Sequence, residues 1–289
     1  MNSKNLTRLI DGALAVEAQQ AKEAGALGYM ARVLVQATMP HKQVVGDVFE
    51  RRNGALSLAI IAHPRVGLPY GSYPRLLLAW ITSEAVKTKS PELMLGPTLS
   101  GFMNQLGLIP AGGRWGTIGR LRDQMRRLFS STISCVMEAD TEDLGLRMGV
   151  ATKYRLWWDP KAPDQAALWL STVTLSYDFF REIINRPVPI DMRALQALKK
   201  SPLALDIYCW MTYRLSYLEK QTEIPWEALQ AQFGAGYPAT SLGVRHFKSK
   251  FLQHLRKVHI VYPEAKVKEG TSVLILQPSK PHVPQLPTI

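Results

Sequence analysis

One order of elements occurs twice in this chain, and it limits the fold more than any composition figure does. A proline opens a short helix, a glycine closes it, a tight loop follows, and an amphipathic helix rich in arginine and lysine comes next. In the first copy Pro97 and Gly107 enclose Leu99, Phe102, Met103 and Leu106, and Gly112-Gly113 lead into the basic segment. In the second, Pro225 and Gly234 enclose Trp226, Leu229 and Phe233, and the loop 236–240 leads into the basic segment. Proline suits a helix start because the first turn leaves its amide positions unbonded anyway, and glycine tolerates the backbone that ends a helix. The two copies are offset by about 125 residues, which marks an internal architectural repeat.

Each basic segment has a dry side and a charged side. In the first, Ile118, Leu121, Met125, Leu128 and Phe129 recur at helical spacing, and Arg120, Arg122, Asp123, Arg126 and Arg127 fall on the opposite arc. In the second, Val244, Phe247, Phe251, Leu255 and Val258 make the stripe. Arg245, His246, Ser249, Lys250, Gln253, Arg256 and Lys257 cover the far side, with Lys248 at the boundary, long enough to snorkel outward. Thr240 or Ser241 is the expected N-cap.

The flanks match as well. Apolar helices are predicted over 73–86 and 202–218, and short strands at 93–95 and 222–224. After the first basic helix, the strand-like runs 132–137 and 147–157 flank an acidic turn near Asp140. After the second, 259–262 and 272–276 are expected to pair across the basic hairpin 266–270. Helix, strand, helix, basic helix, strand, wing, strand predicts an α+β chain of two tandem winged-helix domains, each a helix-turn-helix plus β-hairpin wing. A helical bundle with two decorative hairpins is the alternative. The expected division is an N-terminal helical or flexible extension over 1–54, a first winged-helix domain over 55–176 and a linker over 177–190 that carries Pro187 and Pro189. A second winged-helix domain over 191–277 and a loose tail over 278–289 complete it. Residues 6–37 read as helical, 56–62 as a strand stopped by Pro64, and 167–175 as a strand able to pair with 153–158.

Charge follows the repeat. Of the formal net charge of +12, residues 112–130 carry +4, including Arg114, and residues 241–270 carry +5, including Lys266 and Lys268. Two such clusters fit a polyanion footprint better than a generally basic surface does. No apolar run reaches the ~20 residues of a membrane span, so no membrane partner is expected. No secretory leader is evident, and the two cysteines, Cys135 and Cys209, cannot build a disulfide framework or a multi-cysteine zinc site. A reduced, cytoplasmic setting is the expectation.

The common catalytic signatures are missing. There is no Gly-Lys pair of a P-loop, no HExxH and no GxSxG. No two of the six histidines, His41, His63, His246, His254, His259 and His282, are one residue apart, so a nicking-type metal pair is not expected. Asp140, Glu142 and Asp143 read as a turn between strands, with a weak divalent-ion site as the other reading. Trp157, Trp158 and Trp169 read as sheet core or as base-stacking surfaces. No catalytic residue, metal or cofactor is expected.

The segments GLPYGSYPRLLLAWITSEA (67–85), LMLGPTLSGFMNQLGL (93–108) and GGRWGTIGRLRDQMRRLFSSTIS (112–134) resemble the plasmid-encoded replication initiator family RepA. The resemblance spans about residues 55–265. It implies a bacterial, plasmid-associated protein that binds repeated duplex DNA sites, iterons, at an origin and starts replication. It also implies recruitment of host replication proteins such as a helicase. By analogy with iteron initiators, monomers bind the repeats and a homodimer is inactive or repressive.

On physical grounds, duplex binding needs cations on phosphates for affinity and a helix in the major groove for sequence. Base reading is expected to be strongest on Arg245, His246 and Ser249, in the first turns of the second basic helix. Arg256, Lys257, Lys266 and Lys268 are expected on phosphates, and Arg122 and Arg126 to read second, because Asp123 lies beside them. A winged-helix repressor or partition-type binder shares these features and is the runner-up. A nuclease or primase lacks its motifs.

Overall fold

The computed structural model describes residues 3–114, 116–138, 143–159, 161–166, 170–234 and 236–284. The chain starts with α1 (Ser3–Ala18), β1 (Leu27–Met30), α2 (Arg32–Gln36), β2 (Val48–Asn53) and β3 (Leu56–Ile61). It continues with α3 (Ser72–Thr88), β4 (Glu92–Met94), α4 (Leu99–Gln105), α5 (Thr117–Phe129), β5 (Thr132–Glu138), β6 (Asp143–Gly149), β7 (Ala151–Arg155) and β8 (Thr172–Leu175). Next come α6 (Tyr177–Asn185), β9 (Val188–Asp191), α7 (Met192–Leu198), α8 (Pro202–Leu215), β10 (Thr222–Pro225), α9 (Trp226–Phe233), α10 (Ser241–Val261), β11 (Val267–Glu269) and β12 (Val273–Leu276). The class is α+β, with small antiparallel sheets.

Two helices form the centre. Every residue from Pro74 to Thr82 in α3 and from Leu203 to Thr212 in α8 is buried. A helix that is apolar on all sides has no face to give to water and is buried all round. Each of the two leads the same succession. After α3 come β4, α4 and α5, and β4 joins a three-stranded sheet in the order β4-β8-β7. After α8 come β10, α9 and α10, and β10 joins a sheet in the order β10-β12-β11. In both sheets the last strand in sequence lies in the middle.

Within the repeat the sequence expectation differs from this in two places, and outside it the stretch 6–37, read as helical, contains the strand β1. The runs 132–137 and 147–157 do not supply the hairpin of the first sheet. β5 and β6 pair with each other but belong to a separate sheet, β2-β3-β5-β6, where Ile60 faces Ile133 and Leu58 faces Cys135, all four buried. The strands beside β4 are β7 and β8, with Lys153 opposite Thr174 and Tyr154 opposite Val173. That is the pairing expected between 153–158 and 167–175. The second difference is 259–262, which is not a strand. The run 259–261 continues α10, because Val258 and Val261 prolong the stripe of Phe251 and Leu255 at helical spacing and are buried with it. Core contact outweighs the strand preference of these β-branched residues. β12 instead pairs with β11 and β10.

The segments outside the repeat hold elements of their own. Residues 177–190, read as a linker, contain α6, capped by the Ser176 hydroxyl accepting from the Phe179 amide at 3.2 Å, and most of β9. β9 pairs with β1, with Leu27 opposite Asp191, so the N-terminal region is tied to the start of the second copy. β2 pairs with β3, and α1 packs on α7 and α10. α9 docks on the segment before β2: the Gln232 side chain donates to the Gln36 carbonyl at 2.8 Å, and Thr38 donates to the Gln232 carbonyl at 3.2 Å.

A buried charge network joins the two central helices. Arg75 of α3, 2% exposed, donates to both carboxylate oxygens of Asp206 of α8, at 2.6 Å each. Its remaining N–H groups reach the carbonyls of Met39 at 2.7 Å, Gly71 at 2.6 Å and Pro40 at 3.2 Å. His41 Nε2 lies 2.7 Å from Asp206 Oδ2. Burial alone would raise the Asp206 carboxyl, but the Arg75 charge and the bonds from His41 and Arg75 outweigh it and hold the group below its usual range.

Candidate nucleic-acid interface

The two basic helices are built by the patterns that the sequence displays. In α5 the stripe residues Ile118, Leu121, Met125, Leu128 and Phe129 are all buried. Arg120, Arg122 and Arg126 are exposed, as is Arg114 in the loop before the helix. Arg127 is placed differently from its neighbours. It is 17% exposed, bonded to Asp123 at 2.7 Å and to the Leu68 carbonyl at 3.3 Å, and it lies over the Tyr70 ring. This guanidinium closes the junction between α5 and the 67–70 turn. Asp123 is therefore paired with Arg127, and Arg120, Arg122 and Arg126 are the cations left on the exposed arc of α5.

α10 starts at Thr240, whose hydroxyl accepts from the Gly243 amide at 3.2 Å, the N-cap expected there. The close entry of the chain depends on Gly243, where an added Cβ would lie 2.0 Å from the Pro238 carbonyl oxygen. Phe247, Phe251, Leu255 and Val258 are buried. Phe251 meets Trp210, Trp226 and Phe233 edge-on at ring-centroid distances of 6.4, 5.9 and 5.6 Å. This packing fixes the rotation of the helix and turns Arg245, His246, Ser249, Lys250 and Arg256 to solvent. Lys266 and Lys268 are exposed on and beside β11.

Lys248 and Lys257 are half-buried on opposite flanks of α10. Lys248 bonds Glu269 at 3.0 Å and the carbonyls of Gly270 at 2.9 Å and Thr271 at 3.2 Å, and lies over the Trp226 ring. It pins the β11–β12 hairpin to the helix. Nine residues is two and a half helical turns, so Lys257 faces the other way. It packs near His254, whose Nδ1 lies 2.8 Å from the Ser201 hydroxyl. Burial, then the Lys257 charge, pushes His254 down to about 4, so it is neutral at pH 7.

The remaining sequence candidates fall elsewhere. Trp158 is buried and stacks on Phe102 at 5.2 Å, whereas Trp157 is 52% exposed. Trp169, Asp140 and Glu142, and the side chain of Asp143, lie outside the described residues. Cys135 and Cys209 are both buried and free, with burial pushing the Cys135 thiol up to about 11. Among the described residues, no group of three or more His, Cys, Asp or Glu is placed to hold a metal ion. No helix there is long and apolar enough to cross a membrane.

The sequence reading passed over one group of cations. Arg8, Lys42, Lys199 and Lys200 come from separate stretches of the chain and line one cavity beside Arg120 of α5. Only the Lys199-Lys200 pair gave a local sign of it.

Comparison with known proteins agrees with this architecture. Two crystal structures of domains 2 and 3 of RctB superpose on the chain. One has a TM-score of 0.51 at 12% identity, covering 86% of this chain and 95% of that one. The other, a selenomethionine derivative, has a TM-score of 0.53 at 11% identity, covering 86% and 99%. At such identity the likeness is one of fold. No curated protein sequence matches the chain. The family model described as plasmid encoded RepA protein matches residues 68–228, from the turn before α3 into α9. That match takes in more than half of the chain, including α3, α5 and α8, and the chain belongs to the plasmid-encoded RepA protein family.

Proposed function

We propose that this chain initiates plasmid replication by binding repeated duplex sites at an origin through two winged-helix units. The observation that carries the reading is the repeat. Two helices with buried apolar stripes and exposed cationic arcs each follow a buried apolar helix, a short strand and a second helix. A three-stranded sheet with its own hairpin completes each unit. In this reading α5 and α10 enter successive major grooves, and the hairpins β7–β8 and β11–β12 act as wings on the flanking backbone. Arg245, His246 and Ser249 read bases. Arg256, Lys266 and Lys268 hold phosphates, and Arg122 and Arg126 form the second reading surface. Lys248 supports the wing, and Arg127 supports α5.

Linking two readers in one chain raises the effective concentration of the second at its groove once the first is bound. The initiator then strains neighbouring DNA and recruits a host helicase, with a second copy of the chain as the repressive partner. It performs no strand cleavage of its own. The test is whether the gene and its upstream DNA sustain a plasmid lacking its own origin, while the purified protein retards the upstream repeats in preference to scrambled duplex. Loss of the plasmid together with equal retardation of both duplexes would overturn the reading.

A further inference from the structure

Between α5 and α10 lies a groove that meets the cationic arc of α5 at Arg120 and the flank of α10 at Lys257. A cavity of about 880 Å³ is lined by Arg8, Lys42, Arg120, Lys199 and Lys200. A second, of about 410 Å³, shares Arg8, Lys199 and Lys200 and ends at Lys257 of α10. The one acid along the pair of cavities among the described residues is Asp123, already bonded to Arg127.

This chain neutralises its most buried cation with a carboxylate, as Asp206 does for Arg75, and within the groove Arg193 is paired with Asp191. Among the described residues Arg8, Lys42, Lys199 and Lys200 have no such carboxylate partner. Burial, then the charges of Arg8 and Lys200, lowers the Lys199 ammonium, and burial, then Lys250, lowers Lys257. Like charges gathered on concave walls without a counter-charge make a field that draws in an anion. Lys199 donates to the Gly107 carbonyl and Lys200 to the Asn5 side chain, so both are held at the wall rather than free to swing away.

The position of the groove says which anion. On α10 the β11–β12 hairpin occupies the flank marked by Lys248, and the groove opens on the opposite flank at Lys257. On α5 it opens at Thr117 and Arg120, beside the arc that carries Arg122 and Arg126. It therefore runs from the side of one proposed reading helix to the side of the other.

We infer that this groove seats the sugar–phosphate backbone of the duplex where it passes from the segment met by α5 to the segment met by α10. Arg8, Lys42 and Lys200 hold its phosphates and set the spacing between the two read segments. The inference rests on the duplex-binding reading above. A free nucleotide offers the same phosphate chemistry and is the rival occupant.

Arg8 and Lys42 are exposed, so the double variant R8Q/K42Q should melt with the wild type; K42E is a second, single-site probe. Salt dependence of binding is measured by fluorescence anisotropy on a long random-sequence duplex and on one of about one helical turn, ~10 bp. Loss of two phosphate contacts should lower the log–log salt slope by about 2 on the long duplex and leave it unchanged on the short one. K42E should lower the long-duplex slope by about 1. A steep wild-type slope that neither variant alters would overturn the groove assignment and leave duplex binding intact. A wild-type slope near zero would remove both. Trinitrophenyl-ATP that binds the wild type but not R8Q/K42Q, with the long-duplex slope unaltered, would assign the groove to free nucleotide and overturn the proposal.

Discussion

Replacing Asp206 with Asn tests whether the two copies of the repeat are held together by charge compensation. The substitution keeps the shape and removes the anion. Arg75 is then a 2% exposed guanidinium with three carbonyl bonds, one amide oxygen in place of two carboxylate oxygens, and no negative partner. The new Asn amide group also points a donor at either Arg75 or His41, both now facing the carboxylate within 2.7 Å. Removing one partner of a buried pair typically costs about 3–5 kcal/mol, and the surviving carbonyl bonds place this case near the lower end. For a chain of this size the Tm should fall by roughly 5 °C. The assay is urea unfolding followed by far-UV circular dichroism and by tryptophan fluorescence, with the double variant Arg75→Met/Asp206→Leu alongside. Replacing both charges by apolar groups of similar volume should recover most of the loss, leaving the double variant about 2–3 kcal/mol more stable than Asp206→Asn. An Asp206→Asn loss under ~1 kcal/mol, or a double variant no more stable than Asp206→Asn, would refute the compensation argument.

Arg245→Ala should weaken binding to the cognate repeat by about 1–3 kcal/mol while leaving random duplex nearly unchanged, and Lys266→Ala should weaken both and lower the salt slope by about 1; equal losses from Arg245→Ala on both duplexes would move base reading to α5. Arg127→Ala should lower Tm and spare the salt slope, whereas Arg126→Ala should do the reverse, because only Arg127 is built into the α5 junction; differential scanning and anisotropy on the same preparations decide this. Gly243→Ala should destabilise more than the ~1 kcal/mol expected for loss of the Thr240 cap, since its Cβ would lie 2.0 Å from the Pro238 oxygen, and urea titration of both variants ranks them. Finally, burial lowers His41, His254, His259 and His282 in the folded chain, so the unfolded chain takes up protons first as pH falls. Stability should be full above about 6.5 and decline towards about 4, the value to which His254 is pushed; melting curves at intervals across that range that stay level would contradict it.

Periodicity and punctuation were enough to locate the repeat. The buried stripes of α5 and α10, the Thr240 cap, the strands 56–61 and 222–225, and the two apolar leading helices can all be read from residue spacing alone, because each is set by contacts a few residues apart. Strand partners could not be read the same way. Whether 132–138 joins β4 or β3 depends on which edge is free when the chain folds back, and that is a property of the assembled sheet. The 259–261 run illustrates the same limit: its composition favours a strand, and only the core beneath Val258 and Val261 keeps it helical. No local pattern linked Arg75 to Asp206. Their pairing awaited the packing of α3 against α8. Arg8, Lys42 and the pair at 199–200 lie far apart in sequence, where no local rule links them, and only tertiary folding gathers them on one groove; equally, only packing separates Arg127 and Lys248, tied into the scaffold, from the arginines and lysines left facing solvent.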